Sequence, residues 1–256
     1  MNNKNLWLIR IAMSIIALLS IGSAAAENLV VGVNPDYKPL AYKEDGQLAG
    51  IEPATAAATA KLLSKKLVFK ELAWQDLIPA LQRGDIDVVM SGMSITPERT
   101  KQVDFSRSYL KISQMAIIRI QDLARLATPG AMYQQGIRIG VESNTTGESF
   151  AKKNLVSATI DSFETPADAF AALRAGKIDF FIHDAPTSWE IAQSNDYNDL
   201  FALYRSLTEE SLAWAVKKGN SSLLAELNQA LSTLESNGTI KMIQSLWMPV
   251  KVEVGQ

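Results

Sequence analysis

The sequence predicts an α/β protein of two similarly built lobes facing each other across a central cleft. Short apolar, β-branched runs alternate with helical patterns along the chain, the order of parallel-sheet α/β architectures. The stretch Ala80-Leu81-Gln82-Arg83-Gly84-Asp85-Ile86-Asp87 returns as Ala172-Leu173-Arg174-Ala175-Gly176-Lys177-Ile178-Asp179, 92 residues on (position 80 against position 172). The first strands return as well, Val31-Gly32-Val33 as Ile139-Gly140-Val141. A-L-x-x-G-x-I-D is a common helix-to-strand junction, but two copies behind matching first strands point to two lobes of one design.

Taken in order, Leu29 to Val33 reads as a buried strand that stops at the turn-forming Asn34-Pro35-Asp36-Tyr37. Asp45-Gly46 marks a hairpin tip, and Ala54 to Leu63 an Ala-rich helix. Leu67 to Leu72 is a strand. Leu77, Ile78 and Leu81 share one helical face, and Gly84 ends that helix. Ile86 to Met90 is a strand buried on both faces. Thr96-Pro97 starts a helix, with Thr as N-cap and Pro at N1. Ser113 to Ile120 is a strand, and Ile137 to Val141 begins the second lobe's pattern. Thr145 and Glu148 are spaced as a capping box. Ala158 to Ile160 is a short strand, and Thr165-Pro166 opens a helix running to Gly176. Ile178 to Ile182 is a strand ending at His183-Asp184, and Leu212 to Val216 is another. Leu223 to Leu234 and Thr239 to Trp247 are helices separated by Asn237-Gly238.

Residues 1–26 read as a secretory signal peptide. Lys4 and Arg10 form its basic start, Ile11 to Ile21 its apolar core, and Ala24-Ala25-Ala26 a small-residue cleavage site. That core is too short for a comfortable membrane span. The chain of 256 residues has no cysteine, one histidine and a net charge of −2. Disulfides, thiolate metal sites and a lipidated N-terminal cysteine are excluded. A nucleic-acid partner has no electrostatic support, and no metal or cofactor is expected.

In open α/β sheets, ligands bind beyond the carboxyl ends of the strands. Those ends carry Asn34 and Glu142 after the two first strands, and Ser91-Gly92 and His183-Asp184 after the repeated ones. Arg99, in the first turn after Thr96, is a cation where the helix dipole disfavours one unless an anion joins it. Facing lobes would set Arg99 against Asp184. A free α-amino acid needs that pair: a planar cationic fork for its carboxylate and an anion for its ammonium. Backbone N–H groups at Gly92 and Ser94, and the helix starts at Thr96 and Thr145, are candidate further donors. The alternatives are an exposed Arg99 paired with Glu98 or Asp104, and an Asp184 that only makes the turn before Ala185-Pro186.

The chain resembles the periplasmic solute-binding proteins of amino-acid ABC transporters, family 3. The resemblance is carried by Val31 to Tyr37, by I-T-P-E-R-T-K-Q-V-D-F-S from Ile95 to Ser106, and by V-E-S-N-T-T-G-E from Val141 to Glu148. His183 to Pro186 and the C-terminal N-G-T-I-K-M-I-Q-S-L-W add to it. It implies the two-lobe type II periplasmic-binding-protein fold with two crossover hinge strands, here near Ser113–Arg119 and Leu212–Lys217. Lobe one would be residues 27–115 with 212–256, and lobe two 116–211. By position, Arg99 with Gly92, Ser94, Thr146 and Thr145 would bind the α-carboxylate and Asp184 the α-ammonium. Tyr37 and Trp74 would flank the ligand side chain, unless they pack the core. Asn34, Glu142 and His183 would set specificity, favouring a polar or basic amino acid; otherwise Glu142 faces solvent and His183 is fixed by local hydrogen bonds. Asn144 departs from the family's usual Gly. The resemblance implies a periplasmic monomer that delivers an amino-acid ligand to an inner-membrane permease and is not an enzyme. The alternatives are a cyclohexadienyl dehydratase-like enzyme using Glu142, His183 and Asp184, and a soluble amino-acid sensor.

Overall fold

The computed structural model describes residues 26–248, so the signal-peptide reading, apart from Ala26, lies outside the described residues. Two five-stranded sheets organise the chain. The first runs, in spatial order, Lys66–Glu71, Asn28–Val33, Val88–Val89, Ala215–Lys217, Val103–Phe105. The second runs Thr159–Phe163, Arg138–Glu142, Phe180–Asp184, Gln114–Arg119, Leu200–Leu203. In each, three parallel strands are followed by one antiparallel strand that the chain enters after crossing from the other sheet.

The repeat holds at atomic level. Asp87 Oδ2 accepts from the Val30 N–H at 2.7 Å, and Asp179 Oδ2 accepts from the Arg138 N–H at 3.0 Å. Each aspartate thus ties its helix-to-strand junction to the lobe's first strand. Gly32 and Gly140 leave room for Ile86 and Ile178: a Cβ on either glycine would lie 2.3 Å from the isoleucine Cδ1. Gly84 and Gly176 end their helices at φ 81° and 68°, where other residues are strained. These shared contacts explain why A-L-x-x-G-x-I-D recurs with V-G-V and I-G-V.

The crossings differ from the expected ones. Gln114–Arg119 is buried throughout and lies inside the second sheet, and Ala215–Lys217 lies inside the first. An apolar run of that kind belongs in a sheet centre. The lobes are instead joined by a narrow ribbon of Leu110–Ile112 paired antiparallel with Glu210–Leu212, extended by a bridge between Ser94 and Leu212. The cuts drawn from sequence at 115/116 and 211/212 fall inside Gln114–Arg119 and inside the ribbon strand.

Two local expectations change. Ala185–Gln193 is a helix, not merely a turn, with Pro186 in its first turn. The helix at Thr96 spans only Pro97–Thr100, so Arg99 is as much in its last turn as its first, and the dipole conflict disappears.

Candidate functional site

One cleft between the lobes gathers most of the residues singled out above; Thr96 and Asn144 lie outside its lining. Asn34, Tyr37, Trp74, Gly92, Ser94 and Arg99 line it from one lobe, and Glu142, Thr145, Thr146, His183 and Asp184 from the other, with Ser91, Gln114 and Ile182 completing the walls. The cleft has an empty volume of about 460 Å³ counted to its open mouth.

Arg99 stands on one wall. Its Nη1 donates to the Ser94 carbonyl at 2.9 Å and its Nη2 to the Asn144 carbonyl at 3.1 Å, while its guanidinium lies 5.2 Å from the Trp74 ring centroid. Neither Glu98 nor Asp104 pairs with it; Asp104 holds Lys218 instead. The Trp74 indole N–H also donates to the Asn144 carbonyl, at 3.1 Å. Asn144 sits at φ 62°, the left-handed region its usual glycine would enter freely. Ser94 is the middle residue of the bridge to Leu212, whose hydrogen bonds come from Ile95 and Ala213. Its own N–H and C=O therefore face away from the ribbon.

Asp184 stands on the other wall. It occupies the N-cap position of Ala185–Gln193 without capping it. Its carboxylate accepts from the Tyr37 hydroxyl and the Gln114 amide instead. A cap is worth about 1 kcal/mol, so this group is spent on the cleft. Burial pushes the Asp184 carboxyl up to about 6, with Glu210 adding to the rise and His183 opposing it. Gln114 also reaches Thr146 Oγ1 at 3.0 Å and Glu210 Oε1 at 3.2 Å.

Several expected roles are corrected. The Gly92 N–H is not free for a ligand: it donates to Glu52 Oε1 at 2.6 Å. Gly92 is required for space, since a Cβ there would lie 2.7 Å from the Tyr37 ring. The Thr145 hydroxyl is spent on its helix start, donating to the Glu142 carbonyl at 2.6 Å and accepting from the Glu148 N–H. Glu148 closes the box on Asn144 N–H, one residue earlier than the expected partner. The Asn34 amide is consumed locally by Leu72 and Asp36. Glu142 is buried, not solvent-facing, and shares a hydrogen bond with His183 at 3.3 Å. Burial presses the His183 imidazole down, but Glu142 and the Asp184 charge outweigh it and hold it above its ordinary value. Among the described residues no cluster of three or more His, Cys, Asp or Glu side chains is arranged to hold a metal ion.

Sequence reasoning missed Gln114, Glu52 and Glu210. Gln114 had a signal, as the polar head of the apolar run Q-M-A-I-I. Glu52 had another, as the lone acid in an Ala- and Thr-rich helix start. Glu210 had none beside Glu209. Glu52 is fully buried and accepts from Gly92 and from the Tyr109 hydroxyl. Burial raises its carboxyl to about 7. The folded protein thus holds this proton more tightly than the unfolded chain does. Its stabilising contribution is complete below about 4.5 and is lost as pH rises through about 7. Glu52→Gln keeps the acceptor oxygen and removes the titration. Between pH 5 and pH 8 it should gain about 2–3 kcal/mol on the wild type, read by urea unfolding at both pH values. Parallel pH profiles would refute this.

Residues 29–250 match the family described as Bacterial extracellular solute-binding proteins, family 3. The chain is 29% identical over 242 residues to the ABC transporter arginine-binding protein 1 of Escherichia coli (strain K12), covering 92% of this chain and 97% of that protein. The crystal structure of the ancestral amino acid-binding protein AncCDT-1, a precursor of cyclohexadienyl dehydratase, superposes with a TM-score of 0.80 at 34% identity. It covers 86% of this chain and 95% of that one. An ancestral arginine-binding protein bound to arginine gives a TM-score of 0.80 at 31% identity, over 88% of this chain and 99% of that one. Sheet order, cleft and match over nearly all described residues agree: the chain belongs to family 3 of the bacterial extracellular solute-binding proteins.

Proposed function

We propose that the protein binds a free L-amino acid with a basic or polar side chain in the periplasm and delivers it to an ABC permease of the inner membrane. The observation that carries this reading is the placing of Arg99 and Asp184 on opposite walls of one cleft. Arg99 takes the α-carboxylate with the Ser94 N–H and the Thr146 hydroxyl, and Asp184 takes the α-ammonium. Tyr37 and Trp74 flank the side chain, with Glu142 and His183 at its far end. The ribbon of Leu110–Ile112 and Glu210–Leu212 is the hinge between a lobe built on the first sheet and a lobe built on the second.

Charge favours the basic class. Arg99 and His183 face Glu142, Asp184 and Glu210. The surplus is one negative charge with His183 protonated and two with it neutral. A zwitterion with a neutral side chain leaves that surplus in place; a cationic side chain reduces it. A thermal-shift screen over the amino acids should give its largest shifts with L-arginine and L-lysine and none with L-glutamate. Tightest binding of an acidic amino acid would overturn the reading. Glu142→Gln should weaken L-arginine by about ten- to a hundredfold and L-glutamine less, measured by calorimetry.

The buried Glu142–His183 pair and the likeness to a dehydratase precursor give an enzymatic reading its footing. The clamp on both ends of a zwitterion supports retention and not turnover. Incubation with prephenate or arogenate should yield no product.

A further inference from the structure

We propose that Lys38 and Glu190 form a latch outside the ligand cleft, positioning the two lobes against each other and so setting the protein's affinity. Lys38 Nζ lies 2.7 Å from Glu190 Oε1, across the gap between the lobes. Neither residue lines the ligand cleft. They line a separate crevice, with Asp36 on one side and Phe170, Thr187 and Tyr197 on the other.

The pair's place in the chain gives it leverage on the site. Lys38 directly follows Tyr37, whose hydroxyl donates to Asp184. Glu190 lies on Ala185–Gln193, the helix that begins directly after Asp184. The same two elements are therefore joined twice, once inside the cleft and once outside it. Lys38 is anchored on its own lobe by the Tyr42 ring, 5.1 Å from its ammonium, and Tyr42 packs edge-on against Trp247. Glu190 is held close, its side chain 19% exposed, and its hydrogen bond keeps the Lys38 ammonium above lysine's ordinary value. Elsewhere along the gap, Trp74 and Arg99 both donate to the Asn144 carbonyl. Arg99 must also serve a ligand carboxylate; Lys38 and Glu190 have no such second duty.

A ligand that needs closed lobes binds with an apparent affinity scaled by the closed fraction. An ion pair this exposed on its lysine side shifts such an equilibrium by a factor of about two to five. Reversing one charge also adds a repulsion of similar size. The affinity effect rests on the reading that the lobes close on an amino acid; the latch itself does not.

The test is a charge-swap cycle of wild type, Lys38→Glu, Glu190→Lys and the double variant. With L-arginine as probe, each single reversal should weaken binding about five- to tenfold, through a faster off-rate. The double variant should return to within about twofold, and about 0.5 M salt should narrow the differences. Small-angle scattering of the ligand-free proteins should show a larger radius of gyration in both single variants and recovery in the double. Singles indistinguishable from wild type, or losses that add in the double, would overturn the latch. Failure of wild type to bind L-arginine would count against the function instead, while the scattering cycle would still decide the latch.

Discussion

Arg99→Ala should abolish amino-acid binding within the range of calorimetry, a loss of about a thousandfold or more. The side chain bridges three things at once: the Ser94 carbonyl, the Asn144 carbonyl of the opposite lobe, and the Trp74 ring. Truncation leaves a ligand carboxylate desolvated between the lobes without its cation. Removing one partner of a buried, hydrogen-bonded charge pair costs about 2–5 kcal/mol. Here the Arg99 contact to Asn144 goes too, which weakens closure itself. Arg99→Lys should recover little. A lysine ammonium is a point charge and cannot hold two carbonyls and a carboxylate in one plane. Folding should be nearly untouched, because no buried partner of Arg99 is left as an unpaired charge. A variant with unchanged melting temperature and near-normal affinity for L-arginine would remove the basis for the proposed clamp.

The duplicated lobe was readable because its determinants are local. Asp87 and Asp179 each bond a first-strand N–H, Ile86 and Ile178 each fill the space over a glycine, and all are side-chain requirements written at fixed spacing. The hinge was not readable in the same way. Leu110–Ile112 and Glu210–Leu212 are three-residue strands paired with each other, and nothing in either announces its distant partner. The neighbouring apolar runs gave the stronger signal and drew the crossing a few residues late.

The site shows the same division. That Arg99 and Asp184 line one cleft could be read from charge and strand-end position. Which backbone donors remain free could not, since that depends on who occupies them. The Gly92 N–H is taken by Glu52, a residue 40 positions earlier that carried no evident link to it. The Thr145 hydroxyl is held by its own helix start while its neighbour Thr146 keeps an unspent proton. Asp184 gave the opposite lesson. Asp before Ala-Pro looks like a turn or a cap, yet here it leaves the helix start uncapped.

Asp184→Asn should be the second severe variant, with a signature that separates binding from folding. In the protein without ligand, burial holds the Asp184 carboxyl at about 6, and Tyr37 and Gln114 donate to it. A ligand ammonium favours the ionised form, so binding pulls that value down and releases a proton wherever the free site is still protonated. Wild-type affinity should therefore fall about tenfold for each pH unit below about 6. Calorimetry in buffers of different ionisation heat should register one proton released on the acid side. Asp184→Asn removes the charge, and with it the slope and about a hundred- to a thousandfold in affinity at neutral pH. Its stability should move the other way. A carboxyl raised on folding stabilises the protein only below its folded value and burdens it above, so at pH 8 the variant should be no less stable than wild type. An affinity loss with matching destabilisation would make Asp184 a structural residue. An affinity loss with stability kept and the acid slope gone would identify it as the ammonium's partner, a group held buried and unneutralised by the fold because the ligand supplies its counter-charge.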